Sequence, residues 1–420
     1  MPSINLKKFN SVLRYRIQIL WVITSILVVY FIFFAVNNTT RPSYGFASYY
    51  TASNLLIEGE DVADFYDDDW FSSKVENYVH GVYEIYLVNM PTTALIFLPI
   101  ANFDYKTARL IWIIFNLVLL AVVVGLIIRR MKFGEIWLPL VLISFLSFQP
   151  LYVNISNGQV YSFIFCLLVL AWFAYESGID SLLGNIIGLV FILKTTGSFL
   201  IILFAFQKKW KSLLWVFVTV VFYFIASLPL LGLNSWSAYG NKLLSYTSSP
   251  TLSVTAYQSV HSFFHHLFVF DAQWNLEPLI NLPLIGKSLT IIFSLGILIV
   301  TIVSALKFKK SDLAFGSFII AGLILNPATI DYHYMLILIP IIILIDWLKN
   351  NCSFSMWAIF LFSFLLIALS IPYTSAKVTS GLWAVLAYPK LYGALGLLGL
   401  VLRASYVSKS FEKRIKYSNK

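Results

Sequence analysis

Apolar runs near 20 residues long recur along the whole 420-residue chain, separated by short clusters of lysine and arginine. Each such run, as a helix, is long enough to cross a hydrocarbon core of about 30 Å. A soluble domain carries roughly 25% charged residues. This chain carries 11%, with 59% hydrophobic residues and a mean hydropathy of +0.83. The pattern predicts an all-α polytopic membrane protein, residues 1–420 forming a single integral membrane domain.

The net charge of +10 would point to an acidic partner in a soluble protein. Here the basic residues cluster between apolar runs, so they report topology by marking the cytoplasmic side, and no nucleic acid partner is expected. The clusters are Lys7–Arg16, Arg129–Lys132, Lys208–Lys211, Lys307–Lys310, Lys349 and a tail over 403–420. Residues 1–36 are not a cleaved signal, because the core Ile17–Val36 is too long and no small-residue cleavage site follows. Threading the runs between the clusters gives about 12 crossings, both termini cytoplasmic, in the plasma membrane. Leu182–Phe206 reads as two short helices broken at Lys194–Gly197, and Pro91–Ala101 as a dip too short to span. Cys166 and Cys352 are too far apart to pair and do not report a redox compartment.

The polar interruptions that are not basic clusters all fall on the opposite, extracytoplasmic side. The first is a large loop over 37–90, whose segment Arg41–Pro91 holds nine of the nineteen acidic residues together with Tyr44, Tyr49, Tyr50, Tyr66 and Trp70. Loops of this length in compact proteins are usually functional. The others are Asn154–Gln159, Lys194–Gly197, a second loop over 234–282, and Asn326–His333. Five stretches converging on one face predict a cavity there.

Ionisable groups inside spanning segments are costly and point to function. Lys194, flanked by the hydroxyls of Thr195 and Thr196, suits a phosphate; the alternative is a lysine snorkelling from an interfacial turn. Asp331 and His333 at a helix start pair as base and orienter, or Asp331 simply caps the helix. Gln159 and Gln258 suit sugar hydroxyls or loop backbone. His261 and His265 have the i, i+4 spacing of a metal pair but no third ligand, and Asp67–Asp69 reads as a solvated surface. No metal site is expected, and no phosphate-cradling glycine loop or nucleotide fingerprint is present.

In order along the chain come Asn89-Met90-Pro91, Leu98-Pro99-Ile100, Ala108-Arg109-Leu110-Ile111-Trp112, Asn157-Gly158-Gln159-Val160, Gly188–Lys194, Lys208–Lys211, Tyr257-Gln258-Ser259-Val260 and Asn326-Pro327 leading to Asp331-Tyr332-His333-Tyr334. This ordered set, over about residues 43–345, resembles glycosyltransferase family 87, the polyprenyl-phosphate-mannose-dependent mannosyltransferase-like membrane proteins. The resemblance implies a GT-C-type helical bundle with an extracytoplasmic active site. It implies transfer of a mannose-like hexose, with inversion, from a polyprenyl-phosphate donor to a glycan or glycolipid, the donor being a substrate and no cofactor being needed. It also assigns Lys194 to the lipid phosphate.

One departure stands out. The family usually begins a motif like Asp-Phe-x-x-Tyr-Tyr-x-Ala with its general base, whereas this chain reads Gly45-Phe46-Ala47-Ser48-Tyr49-Tyr50-Thr51-Ala52. Glycine takes no proton from an acceptor, so either another acid serves, Asp331 first, then Glu58 or Asp61, or transfer has been lost and lipid-sugar binding kept. His333 would partner Asp331, Gln159 and Gln258 would position sugar hydroxyls, and Tyr49, Tyr50 and Trp70 would cover the acceptor. The competing readings are a lipid-linked sugar-binding protein that has lost catalysis, and a lipid-sugar transporter or flippase.

Overall fold

The structure is a computed structural model that describes residues 6–87, 89–307, 312–350 and 353–418, with side chains described between Arg14 and Ser405; Cys352 lies outside the described residues. Among them there is no strand, only an isolated bridge between Asp271 and Asn275. The chain is a multi-pass helical membrane protein. Among the described residues, five helices are long and apolar enough to cross a bilayer: Arg14–Asn37, Tyr105–Met131, Trp210–Thr247, Pro283–Lys307 and Asp331–Asn350. Two bent pairs, Trp137–Leu146 with Gln149–Asn157 and Gly381–Ala387 with Pro389–Ser405, bring the number to seven if each is one span. Tyr161–Ser177, Asp180–Leu193, Thr195–Phe206, Asp312–Leu325 and Phe354–Ala368 are apolar but shorter. These shorter helices explain why the expectation of about 12 crossings exceeds the number of full-length spans: a run that reads as one crossing is often a short or broken helix.

Helix boundaries follow local chemistry. Asp104 caps Tyr105–Met131 by accepting from the Thr107 amide at 3.1 Å, and Asp67 caps Asp68–Tyr78 by accepting from the amides of Asp69 and Trp70. Such caps satisfy amides that a helix start leaves without partners. The second extracytoplasmic loop was expected to begin at Asn234; the Trp210–Thr247 segment breaks two residues earlier and continues beyond the break as a second helix. What marks the site is a kink at Gly232, whose φ of 67° is open to glycine and strained for other residues, just after Pro229.

The expected break at Lys194 is present. The Asp180–Leu193 helix ends there, Thr195–Gly197 forms one 3-10 turn, and Ser198–Phe206 continues. The first of these helices packs tightly against Trp210–Thr247 because Gly184 and Gly188 lie at the contact. A Cβ on Gly188 would sit 2.7 Å from Thr219 Cβ and 2.9 Å from the Val216 carbonyl oxygen. Small residues let helix backbones approach in this way. Hydrogen bonds from Thr219 to Asn185 and from Ser212 to Asp180, both 2.7 Å, fasten the pair. The helix that leads to Lys194 is thus fixed against its neighbour along its first two turns.

The 37–90 stretch is folded. The Tyr44–Glu58 and Asp68–Tyr78 helices enclose a second, smaller core of Leu55, Phe65, Phe71, Val75, Val82 and Tyr86, which also takes in Ile192, Leu231 and Tyr239. The acidic side chains lie outside this core, and its aromatic residues dock the stretch onto the bundle.

Candidate active site

A cavity of about 380 Å³ is lined by residues from all five polar stretches: Tyr44–Tyr49, Glu84–Met90, Asn157–Tyr161, Lys194–Thr196, Tyr239–Tyr257 and Asn326–His333 each contribute. From the Tyr44–Glu58 helix the wall takes Tyr44 together with Gly45, Ser48 and Tyr49, the last three sharing one helical face at i, i+3 and i+4. The Tyr49 hydroxyl donates to Gln159 Oε1 at 2.6 Å. Burial holds the Tyr49 phenol well above its ordinary pKa, so the hydroxyl stays protonated and keeps donating.

Gln159 is aimed by the turn before it. Arg109 is fully buried in the Tyr105–Met131 helix and donates to the carbonyls of Ile155 and Ser156 at 2.7 and 2.9 Å, while Trp112 Nε1 donates to the Gly158 carbonyl at 3.0 Å. Gly158 itself has φ 64°, and a Cβ there would collide with Arg109. The motif residues Arg109, Trp112 and Gly158 thus form one clamp that sets the position of Gln159.

Lys194 lines the cavity with Thr195 and Thr196. Its ammonium donates to Asn89 Oδ1 and lies 5.2 Å from the centre of the Tyr49 ring. No carboxylate pairs with it among the described residues, so an anion in the cavity would be the partner that favours its charged form. His333 also lines the cavity; its Nδ1 accepts from the Ile330 amide at 3.0 Å, and its ring meets Tyr161 edge-on at 4.6 Å. That bond puts the neutral imidazole's proton on Nε2.

The other sequence candidates lie elsewhere. Asp331 is absent from the cavity lining: its Oδ1 is 3.1 Å from the buried ammonium of Lys390 and accepts from the Tyr373 hydroxyl at 2.6 Å. Gln258 is fully buried, donating to the carbonyls of Thr255 and Ala387 and accepting from the Lys390 amide. Tyr50 donates to the Phe103 carbonyl at 2.7 Å, away from the cavity. Glu58 accepts from Tyr78, and Asp61 from the Ala63 amide, both at the exposed surface. Trp70 stacks on Phe65 instead of lining the cavity. His261 and His265 stack at 3.8 Å, and burial with the neighbouring imidazole holds His261 down to about 4. Among the described residues no group of three or more His, Cys, Asp and Glu side chains is placed to hold a metal ion.

The residue that motif reading passed over is Glu84, which lines the cavity with Ile85 and Leu87. Its neighbours Val82 and Tyr86 are buried in the smaller core. Sequence pattern alone does not single it out, because Asp64 stands in the same way between buried Val62 and Tyr66. Burial raises the Glu84 carboxyl above the ordinary glutamate range, partly opposed by its hydrogen bond from the Ile85 amide.

Next to the cavity lies an apolar groove of about 490 Å³, lined among others by Thr92, Ile96, Trp112, Phe163, Ile192 and Leu193. The groove and the cavity share the end of the Asp180–Leu193 helix: Ile192 and Leu193 face the groove and Lys194 the cavity. The hydroxyls of Thr92 and Thr93 donate to the carbonyls of Ile192 and Leu193 and brace this wall.

The family model described as glycosyltransferase family 87 matches residues 87–330, more than half of the chain. Neither a curated protein nor a solved structure matches it.

Proposed function

The chain belongs to glycosyltransferase family 87 and is a membrane glycosyltransferase, and from that premise we propose that it moves a mannose-like hexose from a polyprenyl-phosphate donor to a hydroxyl of an extracytoplasmic glycan or glycolipid, with inversion. The observation that carries this reading is the junction at Leu193 and Lys194. An apolar groove suited to an isoprenoid chain adjoins a polar cavity, and an unpaired ammonium stands at the boundary where the phosphate of such a lipid belongs. In the plasma membrane, with both termini cytoplasmic as the basic clusters indicate, this boundary faces outward. The donor carries its own leaving group, and the reading invokes no cofactor.

Each side chain then has a role set by its chemistry. Lys194 neutralises the phosphate and stabilises it as it leaves, with the Thr195 and Thr196 hydroxyls as further donors. Tyr49 and Gln159 position the sugar, and Tyr161, Tyr257 and Tyr332 offer aromatic faces on which sugar C–H groups rest. His333 presents a neutral ring to the hydroxyls or the phosphate. Asp331, Gln258 and Tyr50, by their contacts, support the walls from behind. Inversion follows from a single displacement in which the acceptor attacks the anomeric carbon on the side opposite the phosphate.

Release of polyprenyl phosphate by purified protein, given a panel of polyprenyl-phosphate hexoses and crude envelope acceptor, tests the reading. Lys194→Ala is expected to lower turnover by roughly 100- to 1000-fold, the usual effect of removing one electrostatic stabiliser. Undiminished turnover in that variant would remove the phosphate role.

A further inference from the structure

Transfer to a hydroxyl requires a group that removes its proton as the new bond forms. Among the described residues lining the cavity, Glu84 is the one carboxylate. The geometry points to Glu84 as the general base of this chain, delivered to the cavity by the segment after the Asp68–Tyr78 helix.

Three observations carry this. First, Glu84 is docked against the catalytic face of the Tyr44–Glu58 helix: the Ser48 hydroxyl donates to the carbonyl of Ile85, the next residue, at 3.2 Å. Ser48 shares that face with Gly45 and Tyr49, so the carboxylate reaches the same wall by another route. Second, position 45 has no room for an acid. A Cβ there would collide with the Gln159 amide and sit 2.8 Å from the Asn157 carbonyl oxygen. Third, the other acids of the 37–90 stretch have surface roles. Lys74 pairs with Glu60, Lys242 pairs with Asp68, and Asp67 caps a helix, whereas the Glu84 carboxylate accepts from the neighbouring Ile85 amide.

The step balances. The acceptor O–H bond breaks and its proton passes to the Glu84 carboxylate. The acceptor oxygen bonds to the anomeric carbon while the bond from that carbon to the phosphate oxygen breaks. The electron pair of the broken bond leaves on the phosphate, held by Lys194. Burial keeps Glu84 more basic than an exposed glutamate, which favours proton uptake near neutral pH.

This inference rests on the transfer reading, and the test separates the two. Full-length protein in nanodiscs would be assayed with undecaprenyl-phosphate mannose and undecaprenyl-phosphate glucose, and binding of sugar-free undecaprenyl phosphate measured alongside. Glu84→Gln is expected to lower kcat by roughly 100- to 10,000-fold and to keep undecaprenyl phosphate affinity within about threefold, which also reports an intact fold. Glu84→Asp is expected to fall between Gln and wild type. Turnover in Glu84→Gln within tenfold of wild type, while Lys194→Ala is inactive, overturns Glu84 alone. Loss of undecaprenyl phosphate binding in Glu84→Gln overturns it as well, making the residue structural. A wild type that releases nothing from either donor removes the transfer reading and the base with it.

Discussion

Two stretches bring a carboxylate toward the cavity, and they treat it in opposite ways. At Asn326–His333, Asp331 turns away from the cavity onto Lys390 and Tyr373. At Val82–Leu87, Glu84 faces the cavity with no cation on it. The difference lies in the partner. The buried Lys390 ammonium on the Pro389–Ser418 helix must be neutralised, and the nearest acid serves that need. Among the described residues no cation forms an ion pair with Glu84, so its charge stays available. A carboxylate embedded near a cavity is therefore a base only when nothing else in the fold requires its charge.

The sharpest way to break this comparison is to neutralise both acids in turn. Glu84→Gln is expected to suppress turnover per folded molecule by at least 100-fold, and Asp331→Asn by only a few-fold. The reverse ranking in a donor-release assay would hand the base role back to Asp331. Stability adds a second contrast. The folded pKa of Glu84 is raised above its unfolded value, so its contribution is present at low pH and is lost as pH rises through the folded pKa. Removing the charge should then leave the unfolding midpoint at neutral pH unchanged or higher. The acid limb of kcat/KM in the wild type should likewise lie above the ordinary glutamate range, Lys194 and His333 being the other titratable groups that line the cavity. A limb at the usual glutamate pKa would show that Glu84 is not the group titrating.

On the other side of the comparison, Lys390→Ala would leave Asp331 and Tyr373 without their cation. Removing one partner of a buried pair costs about 3–5 kcal/mol. Asp331 keeps 24% of its side chain exposed, so water recovers part of that and the lower end, about 3 kcal/mol, is expected. The shift would be read as the loss in chemical-denaturation midpoint in detergent. A shift below 1 kcal/mol would mean that the pair is not what holds Asp331 out of the cavity.

Gly45→Asp tests the same contrast from the opposite wall. If the glycine merely recorded a lost base, aspartate would raise activity. The crowding around its Cβ predicts the reverse, since the Asn157 carbonyl cannot yield like a side chain and Gln159 must leave Tyr49. Overpacking of this kind typically costs about 1–3 kcal/mol, and donor release is expected to fall. A gain in turnover would show that the wall opens more readily than its contacts indicate.

Much of the architecture was legible in the sequence because lipid imposes it: apolar runs and basic clusters gave the helical class, and polar breaks gave the five stretches that meet in one cavity. Lys194 was legible for the same reason, as an ion with no cheap place to hide. Asp331 and Gln258 misled because a motif shows that a polar residue is embedded without showing what it faces. Their partner Lys390 is 59 residues beyond Asp331 in sequence and inside an apolar run. Glu84 was hidden by company, one of nine acids in a loop whose charge reads as surface. Its place between buried Val82 and Tyr86 is matched by Asp64 between buried Val62 and Tyr66, so only the fold, which puts Glu84 on the cavity, sets it apart.

The smallest effect expected is also the most specific. Tyr49→Phe removes one hydroxyl from Gln159 and leaves the ring beneath Lys194 in place. A neutral hydrogen bond contributes about 0.5–1.5 kcal/mol, so activity should drop roughly two- to tenfold. Gln159 meets the sugar in this scheme and Lys194 meets the phosphate, so the loss should appear with the sugar-bearing donor and be absent from sugar-free undecaprenyl phosphate binding. Equal losses in both would mean that Tyr49 acts through the cation above its ring, and the sugar and phosphate ends of the cavity would have to be drawn as one.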